Sequence, residues 1–410
     1  MDEKPRLRPV EAFVINHENQ AFLCLRDPSG IAENPVLLSP AASLVLALLD
    51  GEHSLLDIQC EWVRRFGEII PRHVIADLVN ALDRAYLLES PTFTARLAQI
   101  RDEFRASSYR AAAHAGVCYA GEPEALRKEI RAYFDAAAAT DHESKPVRAD
   151  PPRGLIAPHI DPRRGGRVYA RVYAELVAQE RPQLFVILGT AHCGVGPELF
   201  AATMKDYATP LGVVRTDRDF VARLADSYRA GDLYADELLH RNEHSIEFQA
   251  LFLAATIGIE DYQIVPILVG SFHQYVAAGR LPIEDEKVGA FVKALRQTIA
   301  NDGRRVCIIA GVDFAHVGRK FGDPHGVGAD VLDWIKREDL ALIGDIEQVD
   351  AEGFFTRLAR ERDRRRICGL SPMYVLLELL RGYRGRLLAY DIAVDKATDS
   401  AVSFAGLVFD

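Results

Sequence analysis

Six apolar runs, separated by segments with helical periodicity, constrain the fold of this chain more than any other feature. They start near residues 154, 184, 198, 262, 304 and 403, and each is short enough for a single strand. Strands with one side in water alternate polar and apolar residues, whereas unbroken apolar strands are typical of a sheet covered on both faces. The stretches 217–230 and 288–300 between them have helical patterns. The sequence therefore predicts an α/β domain, a layered sheet with helices on both faces.

The N-terminal part predicts a small unit of its own, a hairpin followed by three short helices. Residues 12–25 contain two β-rich runs joined by a polar turn at His17 to Gln20. Ser39 is expected to cap the first helix, and Ser54 with Asp57 has the pattern of a capping box at the second. Apolar periodicity predicts the third helix, from about residue 72 to 88. A hairpin with three helices is a winged-helix-like arrangement.

These patterns divide the chain into three parts. We expect a winged-helix-like domain at 1–90, a charged helical connector at 91–110 and the large α/β domain at 111–410. The polar, proline-containing segment 136–153 is predicted to be an exposed loop inside the third part.

Charge and composition exclude several classes of protein. A net charge of −10 repels polyanions, so a general nucleic-acid or anionic-membrane surface is disfavoured. No stretch reaches the roughly 18 apolar residues that span a bilayer, and the first residues lack the apolar core of a secretory signal. The six cysteines include no CxxC pair, and we expect most of them to be reduced and buried. The chain is thus expected to be cytoplasmic, and its oligomeric state stays open.

Histidines follow the apolar strands at three places. His159 and His192 each come directly after a run, and a third run leads into Asp313 and His316. Ligands of open α/β sheets bind at the carboxyl ends of the strands, and histidine is the commonest protein ligand of zinc, iron and copper. One such histidine is more often a hydrogen-bonded core residue. Three together predict a metal site.

Cys368 can be interpreted either as a reactive thiol or as a structural cysteine. It precedes a helix whose first turn contains Ser371 and Pro372. Helical N–H groups and the nearby Arg364 to Arg366 would lower its pKa and make it a competent ligand or nucleophile. On spacing alone, a buried structural cysteine is favoured, because nothing local pairs Cys368 with a histidine.

The segment from 240 to 253 adds four titratable residues, His240, Glu243, His244 and Glu247. His244 and Glu247 would share one helical face, a geometry usable for a metal or for a hydrogen-bonded pair. Asn242 or Ser245 could cap this helix, so we assign His244 to the pocket wall or to proton donation.

The residues after His159 predict a turn, from Asp161 to Gly166. Its arginines, Arg163 and Arg164, could clamp a carboxylate or phosphate, and its glycines would allow close backbone approach. A salt-bridged surface turn is the alternative, and it is slightly favoured for either arginine alone.

The ordered motifs resemble those of the Memo family, which includes AmmeMemoRadiSam system protein B. They read LIAPH, LGTAH, EHSIEFQ, VDFAHVG and ICGLSP, and the resemblance covers about three quarters of the chain, from His114 onward. It implies a fold similar to class III extradiol dioxygenases, with iron or copper bound by two histidines and a cysteine. These ligands fall on His159, His192 and Cys368, and the further pocket pair falls on Asp313 and His316.

The N-terminal part resembles a PqqD-like domain, on the stretch LLSPAASLVLALLDGEHSLLDI and the helix ending in AYLLE. Such domains bind the leader segment of a peptide that is to be modified, which implies a radical SAM enzyme as partner. An edge strand at 21–25 is the expected binding face. A purely structural or dimerising role has equal weight, and DNA binding is disfavoured by acidic residues on the predicted helices.

Three functions follow as hypotheses. The first is an Fe(II)-dependent oxidase or dioxygenase in which His316, Asp313 and His244 are the catalytic groups. The second is a non-catalytic metal-binding or partner-binding scaffold that works beside a radical enzyme. The third is a hydrolase in which Asp313, His316 and a metal activate water. The two-nitrogen, one-sulfur ligand set suits iron, copper or zinc.

Overall fold

The apolar runs of the sequence form strands of one eight-stranded sheet in the computed structural model. The structure describes residues 4–17, 20–139, 150–177, 180–193, 196 and 198–410. The chain divides into two compact units, residues 1–107 and 108–410. Each unit has a hydrophobic core of its own.

The large sheet of the second unit is parallel at its centre and antiparallel at its edges. Its strand order is β12-β14-β5-β11-β6-β10-β7, and β13 pairs with β14. The pairs β5–β11, β11–β6 and β6–β10 are parallel. A second, small sheet has the order β4-β8-β9. The strands are β4 (Tyr109–Arg110), β5 (Gly154–Ala157), β6 (Leu184–Thr190), β7 (Phe200–Ala202), β8 (Asp206–Thr209), β9 (Gly212–Val214), β10 (Gln263–Val269), β11 (Val306–Gly311), β12 (His316–Gly318), β13 (Gly385–Asp395) and β14 (Ser400–Phe409).

Helices cover both faces of this sheet, as the unbroken apolar runs predict. Alternate residues of β6 point to opposite cores: Val186 and Leu188 pack into one, and Phe185 and Ile187 into the other. The first core includes residues of α7 and α10 to α13, and the second includes residues of α5, α6 and α8. The helices are α5 (Pro123–Ala138), α6 (Pro162–Tyr173), α7 (Arg218–Ser227), α8 (His244–Ile257), α9 (His273–Ala278), α10 (Glu286–Ala300), α11 (Ala329–Glu347), α12 (Ala351–Arg360) and α13 (Leu370–Leu379).

The first unit contains a three-stranded antiparallel sheet and four helices. The strand order is β1-β2-β3, and Ile58, Ile75 and Leu82 of the helices are fully buried in its core. The elements are β1 (Glu11–His17), β2 (Gln20–Arg26), β3 (Val36–Leu38), α1 (Ala42–Ala47), α2 (Leu55–Phe66), α3 (Arg72–Arg84) and α4 (Pro91–Ala106). The helical segment predicted as a connector is therefore α4, and it belongs to the first unit.

Several local predictions for the first unit are corrected by the structure. The expected edge strand at 21–25 is wrong, because β2 is the central strand and pairs with β1 and β3. Ser39 does not cap α1, whose N-cap position is Ala41. The capping box at Ser54 and Asp57 is confirmed, since each side chain accepts the other residue's backbone N–H. The polar turn predicted between the first two strands lies partly outside the described residues.

The turn predicted after His159 is wrong, because the segment forms the start of α6. Asp161 caps this helix by accepting the Arg163 backbone N–H at 2.8 Å. Gly165 and Gly166 are buried in it, and a Cβ on Gly166 would lie 2.5 Å from the Tyr133 ring. Gly166 therefore allows close packing between α5 and α6, and a Cβ on Gly165 would lie 2.6 Å from the Ile160 side chain. Arg163 is exposed and donates to the Val117 carbonyl.

Other expectations concern burial and membrane association. The expectation that most cysteines are buried is wrong: only Cys24 and Cys307 are, while Cys60 is exposed and the other three are intermediate. Most of the loop predicted at 136–153 lies outside the described residues. Among the helices that the structure describes, none is long and apolar enough to cross a membrane.

Candidate metal centre

Side chains from three separate loops meet at the carboxyl edge of the large sheet. His159 follows β5, His192 follows β6, and Cys368 precedes α13. One nitrogen or sulfur atom of each lies within 4.8 Å of the others, and Cys368 Sγ is 3.2 Å from His159 Nε2. We call these three residues the ligand cluster. Its atoms are close enough to share one metal ion at the metal–ligand distances of about 2.0–2.3 Å that zinc sites show.

The ring of His159 is fixed with one nitrogen available to an ion. Nδ1 lies 2.9 Å from the Gly311 carbonyl, which can only accept, so Nδ1 carries the hydrogen and Nε2 of the neutral ring keeps its lone pair. Burial lowers the pKa of His159 well below its usual value, which favours this neutral form. Partners of this kind commonly orient metal-binding histidines.

The ring of His192 is held by Glu243, a residue to which the sequence reading gave no role. The Glu243 oxygens lie 3.0 and 3.1 Å from Nδ1 of His192, and one also accepts the His192 backbone N–H. Nδ1 therefore donates to the carboxylate, which leaves Nε2 as the nitrogen available to an ion. Burial opposes the charge on His192, but the Glu243 carboxylate outweighs burial and raises the pKa of His192 well above its usual value.

Glu243 owes its position to the start of α8. Its side chain caps that helix by accepting the Ser245 backbone N–H at 3.0 Å. The caps expected at Asn242 or Ser245 are therefore wrong, since Asn242 lies one residue before the N-cap and Ser245 two residues after it. Despite its burial, the carboxylate keeps its charge, because His192 holds the pKa of Glu243 well below its usual value. The sequence could have revealed Glu243 as the N-cap, because it lies directly before the apolar residues of the helix.

Cys368 lies beside the histidines, but its thiol is not activated in the predicted way. Burial raises the pKa of Cys368, so the expectation of a lowered pKa is wrong. The neighbouring arginines bind other groups: Arg365 pairs with Asp339, Arg366 with Asp323, and Arg364 stacks on Trp334. A bound metal ion would deprotonate a coordinating thiol by itself.

Asp313 contacts His159, and His316 lies three residues further along the chain. Asp313 Oδ1 accepts the backbone N–H groups of His159 and Ile160, at 2.9 and 3.1 Å, and Oδ2 lies 3.7 Å from His159 Nε2. Burial raises the pKa of Asp313 to about 6 and lowers that of His316. His316 donates from Nδ1 to the Phe314 carbonyl at 3.1 Å. Asp313 thus shapes the loop that carries His159.

His244 belongs to the wall of the centre. Its ring stacks on His192 with centroids 4.7 Å apart and lies 5.2 Å from that of His159. His244 with His192 and Glu243 forms a second group of side chains that could hold an ion. Desolvation lowers the pKa of His244 well below its usual value, so its ring is neutral.

Glu247, predicted to share a face with His244, turns to a different set of partners. It pairs with the fully buried Arg110, accepts from the Tyr119 hydroxyl and lies 2.9 Å from His114 Nδ1. We call these four residues the Glu247 cluster. Arg110 also donates to the Glu243 carbonyl at 2.7 Å, which ties this cluster to the start of α8. The sequence reading missed Arg110 and Tyr119, which lie more than a hundred residues away along the chain.

Comparison with known proteins identifies relatives over the whole length of the chain. The family model described as Memo-like protein matches residues 110–408. A MEMO1 family protein of Aquifex aeolicus is 33% identical over 409 residues, which cover 99% of this chain and 100% of that protein. A MEMO1 family protein of Thermus thermophilus is 28% identical over 87% of this chain and 98% of its own length. One from Pyrococcus furiosus is 31% identical over 62% of this chain and 85% of its own length.

Proposed function

The chain belongs to the Memo-like protein family, and from that premise we propose that its larger unit binds a redox-active metal ion through the ligand cluster. The proposed ion is iron, with copper and zinc as alternatives, because two imidazoles and a thiolate suit all three. One observation carries the proposal: His159, His192 and Cys368 come from three different loops, and their ligand atoms lie within 4.8 Å of one another.

The protein side chains have distinct parts in this proposal. When bound, iron would supply redox chemistry and open coordination positions for O2 or a substrate. Glu243 orients His192 and balances positive charge, and the Gly311 carbonyl orients His159. Asp313, His316 and His244 are the groups proposed to hold or move a proton beside the ligands. The fold proposed for this unit is similar to that of class III extradiol dioxygenases.

Metal analysis of protein purified without oxygen tests the ligand assignment. The wild type should contain about one ion per chain, and Cys368→Ser should lose most of it, because the hydroxyl that replaces the thiolate is a weaker ligand for soft metals. Cys307→Ser is the matched control, since Cys307 is fully buried in β11 and lies outside the ligand cluster. Equal metal contents in wild type and Cys368→Ser would refute the assignment.

A second proposal concerns the first unit, as a winged-helix-like domain that binds the leader segment of a peptide modified by a radical SAM enzyme. An exposed apolar strand edge favours it: β3 is an edge strand, and Leu37 within it is 48% exposed. Val14 on the opposite edge strand is 62% exposed. A peptide could extend either edge by main-chain hydrogen bonds.

Two measurements separate these activities. Substrate-dependent O2 uptake by iron-loaded protein with catechols would favour an oxidase or dioxygenase. Binding of a labelled leader peptide to the full chain, weakened by Leu37→Asp and unaffected by Cys368→Ser, would favour the scaffold. Peptide binding that is insensitive to Leu37→Asp and to Val14→Asp would exclude both strand edges.

A further inference from the structure

A small cavity adjoins the ligand cluster, and one wall of it has no part in the site described so far. The cavity has a volume of about 170 Å³, and both His192 and Cys368 line it. It is also lined by Ser271, His273 and Ser371, with apolar side chains such as Phe272. Its volume is below the ~300–1,000 Å³ of pockets that hold drug-sized ligands. A ligand of this cavity must therefore be smaller than a typical drug-sized molecule.

The polar groups of this wall are hydrogen-bond donors. The Ser271 hydroxyl accepts the His273 backbone N–H at 3.2 Å, and the Ser371 hydroxyl accepts that of Phe272 at 2.9 Å. A hydroxyl that accepts from the backbone still has its own hydrogen to donate. Among the described residues that line the cavity, none is acidic. The lining therefore favours a ligand with acceptor atoms or negative charge.

His273 is held at this wall by a buried carboxylate. Its Nε2 lies 3.1 Å from Asp363 Oδ2, and the His273 side chain is 60% exposed whereas that of Asp363 is 0% exposed. Nε2 thus faces the carboxylate, which leaves Nδ1 to a ligand. Asp363 Oδ1 accepts the Ile367 backbone N–H at 2.8 Å, and Oδ2 has no hydrogen-bond partner of good geometry within the described residues. The buried carboxylate places negative charge beside Nε2, which favours a ring orientation with Nε2 towards Asp363.

The loop that carries Cys368 also delivers this carboxylate. Arg362, Asp363 and Arg366 have φ values of 54°, 44° and 52°, in the left-handed region that non-glycine residues seldom adopt. Strained backbone of this kind persists where the surrounding structure requires it, often at functional sites. Here it places Asp363 against His273 and, five residues later, Cys368 against His159.

We propose that His273, oriented by Asp363, binds the anionic group of a small ligand, a carboxylate or a similar anion, whose other end reaches the metal ion held by the ligand cluster. The proposal rests on the proposed function for the position of that metal. The His273 ring and the two serine hydroxyls supply the donors, and apolar side chains such as Phe272 complete the lining. His273 is a ligand-binding residue, and Asp363 is a positioning residue that acts through it.

The first unit offers a matched control. His53 forms a similar pair with Asp50, at 2.9 Å between Nδ1 and Oδ2, and its side chain is 37% exposed. Neither residue lines the cavity. A general effect of removing one histidine from a His–Asp pair would therefore appear in His53→Ala as well as in His273→Ala.

The test is calorimetric titration of zinc-loaded full-length protein with malonate, a small dicarboxylate, and with neutral malonamide. His273→Ala should weaken malonate binding at least roughly ten-fold, since a charge-assisted hydrogen bond is lost. Asp363→Asn should weaken it by less, and His53→Ala should leave it unchanged. The NMR signals of the His273 ring should shift on addition of malonate and not of malonamide.

Metal content measured on the same samples separates this proposal from the proposed function. Zinc bound equally by wild type and His273→Ala, with malonate affinities that are also equal, would overturn the role of His273 and leave the metal site intact. No malonate binding by zinc-loaded wild type would overturn it as well. Absence of zinc in a folded wild type would refute the ligand cluster, and a His273-dependent affinity for malonate in that protein would still support the anion site.

Discussion

The ligand cluster and the Glu247 cluster both meet helix α8, but their polar atoms are used differently. In the Glu247 cluster, the carboxylate pairs with Arg110 and hydrogen-bonds His114 and Tyr119. The buried negative charge of Glu247 is therefore balanced by the positive charge of Arg110. In the ligand cluster, Nδ1 of His159 and Nδ1 of His192 face a carbonyl and a carboxylate, and the members of the cluster contact one another, as Cys368 Sγ and His159 Nε2 do at 3.2 Å. His244 lies between the two clusters.

This difference separates a structural polar cluster from one built for a ligand. A cluster in which every charge has its partner stabilises the fold, and few of its atoms are available to coordinate an ion. A cluster whose nitrogen and sulfur atoms converge on one point can release their protons and bind an ion instead. Mutations in the Glu247 cluster should therefore reduce stability, and mutations in the ligand cluster should reduce metal affinity.

The largest effect is expected from Arg110→Ala. It would leave the Glu247 carboxylate buried beside an empty space, and breaking a buried pair in this way costs about 3–5 kcal/mol. Denaturant unfolding of metal-free protein measures the loss. Arg163→Ala is the control, because Arg163 is exposed and its hydrogen bond to a surface carbonyl contributes little. A loss below about 1 kcal/mol for Arg110→Ala would break the comparison.

The second largest effect is expected from acid, which should remove the contribution of Glu247 to the free energy of unfolding. Burial alone would raise the pKa of Glu247, but His114, Arg110 and Tyr119 outweigh it and lower the pKa to about 2. A carboxyl group with a depressed pKa stabilises the folded state fully above its unfolded pKa of 4.5 and loses that contribution as the pH falls towards 2.

The difference corresponds to about 3 kcal/mol, and comparing the pH dependence of unfolding in wild type and Glu247→Gln measures it. Stability of the wild type should fall more steeply between pH 5 and pH 2 than that of the variant. Parallel curves would mean that Glu247 has an ordinary pKa in the folded protein.

A smaller effect, of a different kind, is expected from Glu243→Gln. The amide keeps the shape of the side chain but removes the charge that orients His192, and such changes typically weaken metal binding about 10–100-fold. Competition with a chelator of known affinity measures the change. Glu284→Gln serves as control, since Glu284 pairs with Arg280 on the surface. Unchanged affinity in Glu243→Gln would show that His192 needs no partner to bind the ion.

The smallest effect is expected for the stability of metal-free Cys368→Ser. The thiol is no member of an ion pair in the described structure, and a serine of similar size should change the free energy of unfolding by less than about 1 kcal/mol. A loss as large as that of Arg110→Ala would make Cys368 a structural residue, as its spacing in the sequence suggested.

The central strands could be predicted from the sequence because each is an unbroken apolar run. β6 and β11 are buried along nearly their whole length, and burial on both faces leaves that signature. β13 was missed because most of its residues are only half-buried and charged residues divide its apolar residues into short runs. β3 was missed because three residues are too few to form a pattern.

The candidate site could be predicted only in part. His159 and His192 were nominated by their places after apolar strands, and strand ends are positions that the sequence can reveal. The ligand role of Cys368 came only from the resemblance to a family, because its neighbours in space are distant in sequence. Gly166 was misread for the same reason: the Tyr133 ring that requires a glycine there belongs to another helix.

X-ray absorption spectroscopy of the zinc-loaded protein tests the central claim most directly, since it reports the atoms bound to the ion. The ligand cluster predicts one sulfur at about 2.3 Å and two imidazole nitrogens at about 2.0–2.1 Å in the wild type. In Cys368→Ser the sulfur shell should disappear. A wild-type spectrum without sulfur, or a sulfur shell that persists in the variant, would contradict the assignment of His159, His192 and Cys368 as one metal site.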